Sequence, residues 1–208
     1  MIKEFEYIKN ELNNLKALLN NDYKTLYHGT NEVFEEFNKN SFFSEDKDFS
    51  ENYGKVTEYK MNIKNIFNTL DERNIKELLQ RVNLEKKYDI SDYDDTEINN
   101  LNDYEEESNY HADTWETVEN SYYNSFMENE YEATLITEGG IINYIIVEPN
   151  KHILKTEEEI KTNIMNNLKK VKYKGNDKNI VALIKELKKN GFEIPSNIKI
   201  TSNIKRGM

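Results

Sequence analysis

An α+β protein is predicted by three features of the sequence. Amphipathic helical stretches stand near both ends, residues 56–63 alternate apolar and polar side chains, and two strand-like runs flank Gly139-Gly140. Residues 2–20 place Phe5, Ile8, Leu12, Leu15 and Leu19 three or four apart, the spacing of one helix face. Thr25-Leu26-Tyr27-His28 reads as a short strand turning at Gly29, followed by an irregular stretch over 31–40 anchored by Phe34 and Phe37. Phe42-Phe43-Ser44 is a second strand, and 47–53 a short helix ended by Gly54. Thr69 with Glu72 has the spacing of a capping box for a helix carrying Ile75, Leu78, Leu79 and Val82. Residues 88–112 read as loop, and a further helix is expected from Trp115 to about Met127. Strands at 133–137 and 141–147 follow. Thr156 with Glu159 is a second capping box, opening a helix to about Lys170, and 177–189 is a last helix capped by Gly191.

Charge divides the 208 residues more sharply than hydropathy does. The net charge is -11, yet residues 88–138 hold 16 acidic side chains and no Lys or Arg, while 151–208 hold 14 basic against 6 acidic. An acidic block of this kind is expected to be solvated, because like charges resist compaction. The Lys169-Lys170-Val171-Lys172-Tyr173-Lys174 run is expected to be a solvated basic face, a surface for a nucleic-acid or acidic-protein partner, or a counterpart that neutralises the chain's own acidic block. With no cysteine there is no disulfide, thiolate metal site or cysteine nucleophile, and three scattered histidines argue against a histidine metal centre. His111 near Asp113 and Glu107 is read as a surface histidine, His152 as a strand cap or solvent-facing side chain, and Trp115 as a core residue, with a substrate-facing role as its alternative. No apolar run approaches the roughly 20 residues of a membrane span. The start lacks the order of a signal peptide, so no membrane partner and a cytoplasmic location are expected.

Three segments carry chemistry together: Tyr27-His28-Gly29-Thr30, the stretch 42–54 with Ser50 and Tyr53, and the stretch 138–149 with Glu138 and Asn143. In order and spacing they resemble the H-Y-E ADP-ribosyltransferases, the diphtheria-toxin and poly(ADP-ribose) polymerase branch. The likeness is greatest to the small transferase domains of phage and mobile-element polyvalent proteins. It spans about residues 24–155. It implies a split β-sandwich, NAD as substrate with no metal, and mono-ADP-ribosylation of a macromolecular acceptor. A protein acceptor is expected ahead of a nucleic-acid one, and a host or defence target if the origin is phage. The layout it implies is an N-terminal helix at 1–23, the transferase domain at 24–155 with an acidic insertion at about 85–130, and a basic helical extension at 156–208.

The resemblance also assigns roles. Tyr53 would stack on the nicotinamide, Gly29 and Ser50 would bind its carboxamide, and His28 and Thr30 would hold ribose hydroxyls, with Phe43 beside them. Asn143 stands, in strand register, where the family has its catalytic glutamate. Breaking the nicotinamide–ribose bond builds positive charge on the sugar, so an anion is needed, and Glu138 at the preceding turn is the expected source. Without an activating carboxylate, polymer elongation is not expected. Two other readings accompany this one: an NAD glycohydrolase toxin, and an inactive acidic inhibitor that mimics nucleic acid or docks a partner.

Overall fold

The computed structural model describes residues 3–88, 100–115 and 130–201, with the side chains of 82–88 outside that description. Two compact units result, Lys24–Ile153 and a second made of Met1–Tyr23 with Leu154–Met208. The whole is mixed α/β, with seven helices among the described residues.

Lys24–Ile153 is built on a six-stranded sheet. Its strands are β1 (Lys24–Thr30), β2 (Ser41–Ser44), β3 (Lys55–Met61), β4 (Ile66–Asn68), β5 (Ala133–Glu138) and β6 (Ile141–Ile146), in the order β3-β1-β2-β6-β5-β4. All neighbours are antiparallel except β4 with β5. β1 does not turn at Gly29 as expected: it runs on to Thr30, because β3 pairs with it over its whole length. Its other edge is different. β1 meets β2 at one register pair, Tyr27 with Ser44, and beyond that seam the short helix α2 (Lys47–Glu51) lies against β1.

Period-two alternation gives each sheet face its own apolar cluster. Leu26, Phe43, Met61, Ile63, Ala133, Tyr144 and Ile146 pack on one face. On the other, Ile136 packs with Phe67, Tyr104 and the Ile75, Leu78 and Leu79 stripe of α3 (Glu72–Tyr88), against which Phe42, Trp115 and Ile145 also rest. The β5–β6 hairpin closes through Gly139 and Gly140 with φ of 56° and 78°, and two successive positive φ values are what a two-residue turn of this twist requires.

Three expectations are corrected here. Thr69 does not cap α3: Asp71 accepts the Arg73 N–H through Oδ1, while the buried Thr69 hydroxyl meets Thr114 Oγ1 at 2.8 Å. Residues 88–112 are not all loop, since Leu101–Glu107 forms a helix, α4, capped by Asn100 and anchored by the buried Tyr104. Leu19 is 53% exposed, because its helix ends there instead of packing a further turn. The helix expected from Trp115 falls, beyond that residue, in 116–129, outside the described residues.

The other unit joins α1 (Lys3–Leu19) to α6 (Glu157–Lys170), β7 (Tyr173–Gly175), α7 (Lys178–Lys189) and β8 (Ile198–Ile200), with α5 (Pro149–His152) preceding it in the chain. Phe5, Ile8, Leu12 and Leu15 share one core with Ile160, Ile164, Leu168, Ile180, Leu183, Ile184 and Leu187. The Thr156–Glu159 capping box forms, with both reciprocal bonds present, and Asp177 caps α7. β7 and β8, three residues each, pair in parallel across α7.

Candidate functional site

Where β1 and β2 part, a cavity of about 550 Å³ opens, within the range of small-molecule sites. Its lining includes Tyr27, His28, Gly29, Phe42, Ser44, Phe49, Ser50, Tyr53, Trp115 and Glu138. The three sequence segments therefore meet around one space. Trp115 and Phe49 add two aromatic walls, and among the described residues no Lys or Arg lines the cavity. The sequence from 88 to 138 has none to add.

Local chemistry explains how α2 reaches its place. Ser44 Oγ accepts the Asp46 N–H at 3.0 Å, and Asp46 Oδ1 caps the helix by accepting the Phe49 N–H at 2.9 Å. The buried Ser50 hydroxyl donates to the Asp46 carbonyl at 3.0 Å. With its proton spent on that carbonyl, the Ser50 hydroxyl keeps only acceptor capacity, the polarity an amide NH2 group needs. Gly29 makes this approach feasible: a Cβ there would stand 1.9 Å from the Ser50 carbonyl oxygen. Its lack of a side chain thus admits the helix, where the resemblance implied access for a carboxamide.

Tyr53 follows α2 and is 50% exposed, with its ring 5.6 Å from that of Phe49. Its hydroxyl lies 3.5 Å from Glu138 Oε1, a long hydrogen bond across the mouth of the cavity. Partial burial first, and the Glu138 charge second, raise the Tyr53 phenol above its ordinary range, so it stays a neutral donor. Glu138 is held from behind. Thr137 Oγ1 donates to the His111 carbonyl at 2.7 Å, Thr137 N–H donates to Thr114 Oγ1 at 2.8 Å, and Thr114 N–H returns to Thr137 Oγ1 at 3.2 Å. Asp113 Oδ1 accepts the Gly139 N–H, and the Ala112 carbonyl accepts that of Gly140. The segment 111–115 thereby sets both Trp115 and Glu138.

Asn143 is fully buried on β6, and neither its amide oxygen nor its amide nitrogen has a hydrogen-bond partner among the described residues. Register pairs it with Ser44 on one side and Ile136 on the other. Cross-strand partners share a face, so Asn143 lies on the face of Ser44, beneath the cavity without lining it. Glu138, two positions beyond Ile136, is its diagonal neighbour on that face. An orphaned buried amide costs about 1–3 kcal/mol. It fits a site that a polar ligand or water completes.

Three residues stand differently from the roles implied for them. Phe43 is fully buried on the opposite sheet face, since alternation along β2 turns Phe42 and Ser44, not Phe43, toward the cavity. Thr30 is absent from the lining, and its hydroxyl oxygen accepts the Glu32 N–H. His28 borders the cavity while its ring packs among Phe34, Phe37 and Phe43, with Nδ1 donating to the Phe42 carbonyl at 2.7 Å. In the neutral ring this leaves Nε2 as an acceptor. His152 Nδ1 donates to the Asn62 carbonyl, and His111 packs its ring against Tyr104.

Phe49 has no role in the site from sequence, and for Trp115 a substrate-facing role is the alternative to core packing; the structure places both in the lining. Each is a lone aromatic, and their facing depends on α2 for Phe49 and on the Thr114–Thr137 bonds for Trp115. Among the described residues no His, Asp or Glu cluster suits a metal, and no helix is long and apolar enough to cross a membrane. No family profile, curated protein or solved structure matches the chain.

Burial raises the Tyr104 phenol, which donates to the Thr69 carbonyl at 3.1 Å, and also raises that of Tyr144, to which Glu45 adds. Unfolded tyrosines ionise near pH 10. Their stabilisation is therefore complete below that pH and is lost as pH climbs toward the raised folded values. Thermal melts from pH 8 to 11.5 should show the midpoint falling above about pH 10. A Tyr104→Phe, Tyr144→Phe double variant should show a shallower fall. An equal fall would remove these two phenols as its origin.

Proposed function

We propose that Lys24–Ile153 is an NAD-dependent mono-ADP-ribosyltransferase of the split β-sandwich kind, acting on a protein acceptor such as a host or defence factor. The observation that carries this reading is the convergence of His28, Gly29, Ser50, Tyr53 and Glu138 on one cavity from segments as far apart as β1 and the β5–β6 hairpin. The single-pair seam between β1 and β2 supports the split-sheet reading, since it is there that the sheet opens.

The lining suits one half of NAD better than the other. Aromatic rings from Phe42, Phe49, Tyr53 and Trp115 with one carboxylate favour a cationic ring, and the nicotinamide of NAD is one. Among the described residues the lining offers a pyrophosphate no Lys or Arg. The reading therefore seats the nicotinamide riboside in the cavity and leaves the phosphates outside it. Ser50 accepts from the carboxamide, and Tyr53 stacks. Glu138 stabilises the positive charge that grows on the ribose as nicotinamide leaves. The nucleophile belongs to the acceptor, and water in its place makes the reaction NAD hydrolysis.

Incubation with NAD tests the reading through two products, free nicotinamide and labelled protein in a lysate. Wild type should give the first, and the second when the acceptor is present. Tyr53→Ala, at a half-exposed position that leaves folding intact, should release nicotinamide at least 10-fold more slowly, consistent with the ~0.5–1.5 kcal/mol of ring stacking plus lost burial. Neither product from a folded wild-type protein would sink the proposal.

A further inference from the structure

We infer that the unit formed by Met1–Tyr23 and Leu154–Met208 binds the phosphate backbone of a nucleic-acid strand on the outward face of its β7–β8 sheet. This is independent of the reading of the NAD cavity, which lies wholly in the other unit. Charge separates the two units. This one carries 16 basic against 10 acidic side chains, whereas Lys24–Ile153 carries 12 against 29.

The arrangement of the lysines is more telling than their number. Lys169 and Lys170 end α6 and Lys188 and Lys189 end α7, where cations offset the helix dipole, so a structural role accounts for these four. It does not account for Lys172, Lys174 and Lys199. Register sets Lys174 directly opposite Lys199, and like charges facing each other across a ladder destabilise a sheet. All three are exposed, and none makes an ion pair among the described residues. Among the acids of this unit, Glu157 pairs with Lys161, Glu159 closes the capping box, Asp177 caps α7 and Glu186 pairs with Lys16.

The same register turns Tyr173 and Ile198 inward, where Ile198 joins the core and Tyr173 packs on Phe5. Lys174 and Lys199 therefore point away from it. Among the described residues the ladder turns only Lys174 and Lys199 to that face, the 41% exposed Ile200 alternating to the side of Ile198, and protein interfaces have an apolar centre that this face lacks. Lys172 and Lys174, two residues apart along an extended chain, are separated by roughly 6.6 Å, close to the step between successive phosphates of a strand. Recognition of this sort is electrostatic and blind to base sequence.

Fluorescence anisotropy of the full chain with a labelled 20-nucleotide single strand, titrated across salt concentrations, tests the inference. Wild type should bind at low salt. Lys172→Ala, Lys174→Ala and Lys199→Ala combined should weaken binding 10-fold or more and flatten the log–log salt slope by about 2, at about 0.7 per lost phosphate contact. The substituted side chains are exposed, so circular dichroism should be unchanged. A control with Lys60→Ala, Lys76→Ala and Lys151→Ala removes as much charge from the other unit and should leave binding intact. No binding at low salt, or equal weakening by the control, would overturn the proposal. So would polyglutamate competing as well as the oligonucleotide at equal charge, which points instead to an acidic protein partner.

Discussion

Glu138→Gln is expected to slow nicotinamide release from NAD by about 100- to 1000-fold, the effect of removing one preorganised electrostatic partner, roughly 2.7–4 kcal/mol. The glutamine keeps the size of the side chain and the long contact with Tyr53, so binding of NAD should change far less than turnover. On the proposed reading a charge is needed in the site, and Asn143, an amide, would polarise without neutralising. Glu138 is its diagonal neighbour on the same sheet face, at the end of β5 that the Thr114–Thr137 bonds brace.

A companion substitution separates the two residues. Asn143→Leu replaces a buried amide without partners among the described residues by an apolar group of similar size. It should raise the unfolding free energy by about 1–3 kcal/mol while lowering nicotinamide release. Stability gained and activity lost in one variant is the mark of a polar group kept for its ligand. Unchanged release by Glu138→Gln, together with a gain in Asn143→Glu, would place the charge requirement at Asn143 instead.

The second large effect belongs to Gly29→Ala. A single added methyl would stand 1.9 Å from the Ser50 carbonyl oxygen, 2.9 Å from its carbon and 3.3 Å from Tyr53 Cβ. The first of these is backbone, so α2 as a whole has to move away from β1. Overpacking of this sort costs about 1–3 kcal/mol. For a chain of this length that amounts to a thermal midpoint lower by roughly 2–4 °C for each kcal/mol. Because Phe49, Ser50 and Tyr53 travel with α2, NAD turnover should fall with stability. The Asp46 cap keeps α2 helical, so the loss should appear in position more than in helix content. A variant with the wild-type midpoint and wild-type turnover would show that α2 does not depend on this contact.

How much of this was legible in advance depends on the range of the interaction involved. The capping box at Thr156 and Glu159, the helix of Phe5, Ile8, Leu12 and Leu15, and the turn at Gly139-Gly140 are written in residues a few positions apart. Their bonds close locally, and the local pattern suffices. The Thr69–Glu72 pair has the same spacing, yet Thr69 is drawn away by Thr114, 45 residues later in the chain. A capping bond available in isolation lost to a buried one. Three-residue strands such as β4, β7 and β8 have no period to read, and they exist because a partner strand is already in place.

The candidate site follows the same division. The sequence by itself determined which residue types were present: the aromatic-His-Gly-Thr segment, the Ser50–Tyr53 spacing, and an asparagine with a glutamate five positions before it. It also determined that residues 88–138 bring no cation. Only the tertiary structure decided that Phe42 and not Phe43 meets the cavity, because a four-residue strand with two adjacent phenylalanines has no face until β6 pairs with it. Only the tertiary structure joined the first helix to the last two in one core, since the apolar stripe of each is equally suited to any other stripe. Hydrophobic burial is non-directional. It states that a face must be covered, and the choice of cover comes from the rest of the chain.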